Sequence, residues 1–211
     1  STNFWMDDAT YDEWILKQKD GSYARYFPGN IILDVTNSEW GEAFVDFVKK
    51  NIMEKDIWDG ILYDNMWEGI QFTGADVSIT DKEWKTGIRK LLKKTRKTLQ
   101  NVDRDNFMVV GNNGTTYASK INGTVFENFP QTAYGGWTDS LKEYFFIAEN
   151  AGYAPSFGII NANAGNTGVS DDYRDMRFGL VSSLLGDGYF SYDDGDESHA
   201  QTWFYDEYSV F

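Results

Sequence analysis

Asp64-Asn65 and Glu127-Asn128 each set a carboxylate and a carboxamide directly after a short apolar run, Ile61-Leu62-Tyr63 in one case and Val125-Phe126 in the other. Two carboxylates at separate strand ends of one pocket are the minimum apparatus for cleaving a glycosidic bond. One protonates the leaving oxygen, and the other attacks as nucleophile or activates a water. Glutamate is neither a good turn residue nor a good helix cap, so Glu127 calls for a reason beyond local geometry. Wedged between Phe126 and Phe129-Pro130, its charged form should be disfavoured, which suits a general acid. Asp64 stands among Tyr63, Met66 and Trp67 and reads the same way.

Other chemistries have less support. His199 is the single histidine, and cysteine is absent, so a histidine-based triad, a thiolate site and disulfides have no material. The run "GNNGTT" at 111–116 lacks the lysine and the spacing of a phosphate loop. "DDGDE" at 193–197 could hold calcium or magnesium, but it departs from the calcium-loop pattern, and we expect no metal and no cofactor. "NGT" at Asn113 and at Asn122 matches a glycosylation acceptor, a pattern common by chance.

The elements that must position the pair are short apolar runs alternating with amphipathic stretches. Strands are expected at 30–35, 59–65, 106–113, 123–129, 156–163 and 188–194. Helices are expected at 38–54, from a capping box at Thr80 to Glu83 through Leu99, at 139–151 ending before Gly152, and at 170–185 ending before Gly186. "WFYDEYSVF" closes the chain as a short helix or coil. Continuously apolar strands are those buried on both faces of a parallel sheet, and their alternation with helices argues α/β.

Each of these strands ends on carboxylates or carboxamides: Asp34, Asp64-Asn65, Asn112-Asn113, Glu127-Asn128, Asn161 with Asn163, and Asp193-Asp194. In a (β/α)8 barrel this edge carries the active site, and in a doubly wound sheet it forms the ligand crevice. Any single Asp or Asn there serves equally well as a turn or cap residue. Taken together, Asp34, Asn65, Asn112, Asn113, Asn161 and Asp193 are candidates to hold sugar hydroxyls. Trp67, Tyr134, Trp137 and Tyr192 are candidate stacking platforms, each open to the alternative of packing.

Composition bounds the partners. With 33 acidic against 19 basic residues, a formal charge of −14 argues against nucleic acid and against an anionic membrane surface. No apolar run approaches the roughly 18 residues of a membrane span. The 8 Trp, 13 Tyr and 15 Phe fit a core or a carbohydrate surface equally well.

"WILKQKDGSYARYFPGNIILDVTN", "WDGILYDNMW", "GTVFENF" and "RFGLVSSLLGDGYFSYDDGDESHAQTWFYDEY" together resemble the hypothetical glycosyl hydrolase 15 family and, more distantly, the endo-α-1,4-polygalactosaminidases. The likeness covers nearly the whole chain. It implies a (β/α)8 TIM-type barrel with Asp34 ending strand 3, Asp64 ending strand 4 and Glu127 ending strand 6. In that scheme Glu127 is the acid and Asp64 the nucleophile or base.

A full barrel takes eight strands and about 250 residues. Residues 1–29 read as loop with one short helix near 11–16, so strands 1 and 2 have no place. The expectation is one barrel domain over 1–211 with strands 3 to 8, the C-terminal three-quarters of a longer barrel, completed by a further segment or chain. The functional expectation is an extracellular or cell-surface glycoside hydrolase acting on a polysaccharide. Its rivals are a non-catalytic carbohydrate-binding barrel, or subunit of a surface assembly, and a metal-dependent lyase or hydrolase.

Overall fold

Thr80 opens the longest helix as expected: its hydroxyl accepts from Glu83 N, while the Glu83 carboxylate accepts from Thr80 N at 2.8 Å. Such a reciprocal cap is worth about 1 kcal/mol. The computed structural model describes residues 9–27, 29–112, 115–130, 135–163, 173–193 and 204–209. The chain forms two units, the first from 1–60 and 67–107, the second from 61–66 and 108–211.

The first unit is built on α1 (Ser38–Val48) and α2 (Asp81–Asn101). Asn37 caps α1, its Oδ1 accepting from the amides of Glu39 and Trp40. Trp40, Val45 and Leu91 form a core cluster, with Trp14, Leu33, Val35 and Phe44 packed against it. The expected helix over 38–54 continues past α1 as a π turn, Lys49–Met53, closed by Glu54 N donating to Lys49 O at 2.9 Å. The wider turn slips the apolar stripe by one residue, which buries Met53 where a plain α-helix would bury Ile52.

The segment 30–35 is not a strand of the parallel sheet. Its backbone bonds antiparallel to residues near the start of the unit: Leu16 N donates to Ile32 O at 2.9 Å, Asp34 N to Trp14 O at 2.8 Å and Ile32 N to Ala24 O at 3.0 Å. Continuous apolarity marks an extended, partly buried segment, but it does not choose the neighbour, and here the pairing is local.

The second unit carries β1 (Gly60–Tyr63), β2 (Met108–Asn112), β3 (Gly123–Phe126), β4 (Phe157–Asn163) and β5 (Tyr189–Asp193), in sheet order β1-β2-β3-β4-β5. Its mixed α/β sheet of five parallel strands is compatible with part of a TIM-like fold. Two helices, α3 (Trp137–Asn150) and α4 (Tyr173–Ser183), link β3 to β4 and β4 to β5.

Register sets the two faces of this sheet. Asn112 lies beside Val125, Val125 beside Ile159, Asn161 beside Ser191 and Asn163 beside Asp193. Strand alternation therefore places Asn112, Asn161, Asn163 and Asp193 on one face. The opposite face packs on helices: Ala162 and Tyr192 join Met176, Leu180 and Tyr205 in a core cluster. Tyr144 of α3 is buried there, its hydroxyl donating to Ser183 O at 2.8 Å. Three glycines make room for it, since a Cβ on Gly158, Gly186 or Gly188 would meet the Tyr144 side chain at 2.4, 2.6 or 2.3 Å. Gly152 likewise follows α3 because a Cβ there would lie 2.2 Å from Ser119 O, with no left-handed turn involved.

Candidate active site

Both candidate carboxylates are presented by the same local device. Tyr63 and Met66 turn into the core on either side of Asp64, and Phe126 and Phe129 do so on either side of Glu127. Each acid is followed by an asparagine in the left-handed region, Asn65 at φ 54° and Asn128 at φ 57°. Asparagine tolerates that conformation better than other residues with a side chain. The reversal leaves each carboxylate exposed while its apolar neighbours are buried. Glu127 is not wedged among apolar groups as expected: its neighbours point inward and its carboxylate faces outward.

Asn112, the last residue of β2, joins the two acids. Its Nδ2 donates to Asp64 Oδ1 at 2.8 Å and to Glu127 Oε2 at 3.1 Å. The oxygens can therefore be no further apart than these two legs laid end to end, 5.9 Å. Asn65 adds further donors to Asp64, its backbone N at 2.7 Å from Oδ1 and its Nδ2 at 3.2 Å from Oδ2. Asp64 thus receives three hydrogen bonds.

The Asn112 side-chain oxygen, Oδ1, is buried and has no hydrogen-bond partner among the described residues. An orphaned buried acceptor costs about 1–3 kcal/mol. Turning the amide over would aim that oxygen at two carboxylates and lose both donated bonds. The orientation is dictated by the acids, and the cost is borne where the acids need donors.

The remaining predicted residues divide between the units. Asn161 shares the face of Asn112, and its Nδ2 lies 3.4 Å from Ser191 Oγ. Asp193 ends β5 on that face, beside Asn163. Tyr192 points the other way and is a core residue. Trp137 opens α3; its indole N–H donates to Ser182 Oγ at 2.9 Å and its ring leans on Phe178, so it braces α4. In the first unit, Asp34 forms a turn ahead of α1, its Oδ1 accepting from Thr36 N at 2.8 Å and Thr36 Oγ1 at 2.6 Å. Trp67 belongs to an aromatic cluster, stacked on Trp84 and edge-on to Tyr26 and Phe72. Asn113, Tyr134, Asp194 to Glu197 and His199 lie outside the described residues.

Asn122 is buried, with its side-chain oxygen accepting from Val109 N and its amide bonded to the carbonyls of Tyr153, Ala154 and Pro155. That "NGT" is a structural clamp, closed to glycosylation in the folded chain. Sequence reasoning assigned Asn112 to substrate and missed its bridging role. It also passed over Arg174 and Arg177, which lie in a cleft beginning at Asn128. The repeated acid–asparagine dipeptide at two strand ends was the available signal for the geometry.

Residues 2–210 match the family model described as hypothetical glycosyl hydrolase family 15. The chain belongs to that family. No curated protein matches it. Membership in hypothetical glycosyl hydrolase family 15 agrees with the resemblance carried by the strand-end motifs and indicates a carbohydrate substrate. Among the described residues, no helix is long and apolar enough to cross a membrane.

Proposed function

We propose that this member of hypothetical glycosyl hydrolase family 15 is a retaining glycoside hydrolase acting on a polysaccharide outside the cell or at its surface, with Asp64 as nucleophile and Glu127 as general acid and base. The observation that carries the reading is the single Asn112 amide bonded to both carboxylates, which holds their nearest oxygens within 5.9 Å. Retaining enzymes keep their two carboxyl groups about 5–5.5 Å apart, whereas inverting enzymes leave about 6.5–9.5 Å for a water. On the fold reading implied by the family resemblance, β1 to β5 are strands 4 to 8 of a (β/α)8 barrel, and the pair ends strands 4 and 6.

The chemistry follows from the arrangement. Glu127 gives its proton to the glycosidic oxygen as the bond to the anomeric carbon breaks. Asp64 attacks that carbon from the opposite side and forms a glycosyl ester. A water then enters, Glu127 takes its proton, and the water oxygen displaces Asp64 with net retention. In the first step the negative charge leaves Asp64 and arrives on Glu127. An amide facing both oxygens serves either charge location without moving, as a preorganised donor should.

The test is release of reducing ends from neutral, acidic and amino-sugar polysaccharides, with the product's anomeric configuration followed by proton NMR on the first substrate cleaved. Release with retained configuration is expected. Cleavage with inversion would remove the nucleophile role from Asp64, and tight binding without cleavage of any glycan would favour a carbohydrate-binding domain.

A further inference from the structure

Beside the carboxylate pair the second unit opens a cleft of about 710 Å³, lined in part by Asn128, Asn163, Arg174, Asp175, Arg177 and Phe178. Asn128 is joined directly to Glu127, so the cleft begins one residue from the proposed acid. Its walls are rich in donors. Arg177 is already engaged: Nε and Nη2 both lie 2.5 Å from Glu207 Oε1, and its guanidinium stacks on the Tyr173 ring. Glu207 is held below the usual carboxylate range by its own backbone N–H and by Arg177.

Arg174 is different, because it is exposed and has no hydrogen bond or ion pair among the described residues. Asn128 receives the Asn163 amide on Oδ1, which leaves the Asn128 N–H groups without a partner among the described residues. Asp175 is the one carboxylate among the described lining residues. Phe178, 44% exposed, adds an open aromatic ring.

A guanidinium and amide donors without partners among the described residues, beside a partly exposed ring, together suit an acceptor-bearing sugar. The guanidinium fork matches a carboxylate or another oxyanion, and the ring covers the C–H face of a pyranose. In a chain of net charge −14 an arginine without a partner among the described residues is not part of a general basic surface.

We propose that this cleft is a subsite for a sugar residue carrying an oxyanion, foremost a uronate carboxylate, adjoining the bond to be cleaved. The proposal rests on the hydrolase reading for its position, but its binding test does not require cleavage. Calorimetric titration of the Glu127→Gln variant would compare an oligogalacturonate, its methyl ester and a sulfated neutral oligosaccharide. The uronate should bind at least tenfold tighter than its ester, and Arg174→Gln should abolish that preference while leaving the ester's affinity unchanged. Stronger binding of the sulfated sugar, equally dependent on Arg174, would assign the oxyanion to a sulfate ester. Equal affinity for acid and ester with no binding of the sulfated sugar, no binding of any of the three, or a preference that survives Arg174→Gln would overturn the subsite. An Arg174-dependent preference with no cleavage by the wild-type chain would leave the subsite standing and overturn the hydrolase reading.

Discussion

Asp64 and Glu127 are tied to one another through a single nitrogen, Asn112 Nδ2, at 2.8 Å from one carboxylate and 3.1 Å from the other. The tie sets both the spacing of the pair and the orientation of the amide, and it makes Asn112 a positioning residue. Replacing it by alanine frees both acids. Misplacement of a catalytic group by about 1 Å costs on the order of 10²-fold in rate, so kcat of Asn112→Ala should fall by about that factor. Steady-state kinetics would show it, and an intact kcat would reduce the bridge to packing.

The neighbouring asparagines supply a second check. Asn65 and Asn128 occupy left-handed backbone at φ 54° and 57°. Glycine accepts that conformation without strain, whereas a β-branched residue does not. Asn128→Gly should therefore leave stability within about 0.5 kcal/mol of the wild type, and Asn128→Val should lose about 1–2 kcal/mol and misdirect Glu127. Chemical denaturation of the two variants side by side distinguishes backbone geometry from any role of the amide itself.

Tyr144 offers a test of the helix-facing side of the sheet. Its ring sits where a Cβ on Gly158 would lie only 2.4 Å away. Gly158→Ala should destabilise the fold by about 1–3 kcal/mol through overpacking. Thermal unfolding would detect it, and a neutral result would mean that α3 can retreat from β4.

The same tyrosine carries a pH prediction. Burial, reinforced by the nearby negative charge of Asp187, pushes its phenol up from 10 to about 12. A phenol whose folded value is raised contributes stability in full below pH 10, and that stability is lost as pH rises from 10 to about 12. Tyr208 is likewise pushed up to about 12 by burial, so absorbance of tyrosinate should show late-titrating phenols in the wild-type chain and one fewer in Tyr144→Phe. Titration of all phenols near pH 10 would contradict the packing of α3.

What could be read in the sequence was local. The Thr80–Glu83 box needs only four residues to declare itself, and it opens α2 as expected. The five sheet strands are short apolar runs bounded by polar residues, and each formed within its expected range. Segment 30–35 has the same composition, yet its hydrogen bonds go to Trp14–Leu16 and Ala24, a choice made by tertiary packing. Glu127 was misjudged because residue type reveals the company along the chain but not the direction of each side chain. Phe126 and Phe129 are buried on either side of a carboxylate that faces outward. Tyr192 and Trp67 show the same limit for rings, since one joins the core behind the sheet and the other an aromatic cluster in the first unit.

The most direct test of the central claim is the turnover of Asp64→Asn and Glu127→Gln beside the wild-type chain on the first polysaccharide it cleaves, with circular dichroism as the check on folding. Both side chains are exposed, so stability should change by about 0.5 kcal/mol or less. Each substitution should lower kcat by roughly 10²–10⁴-fold, the share of barrier lowering that a positioned acid or base supplies. Two folded variants that turn over at the wild-type rate would show that the carboxylates joined by Asn112 are not the catalytic pair.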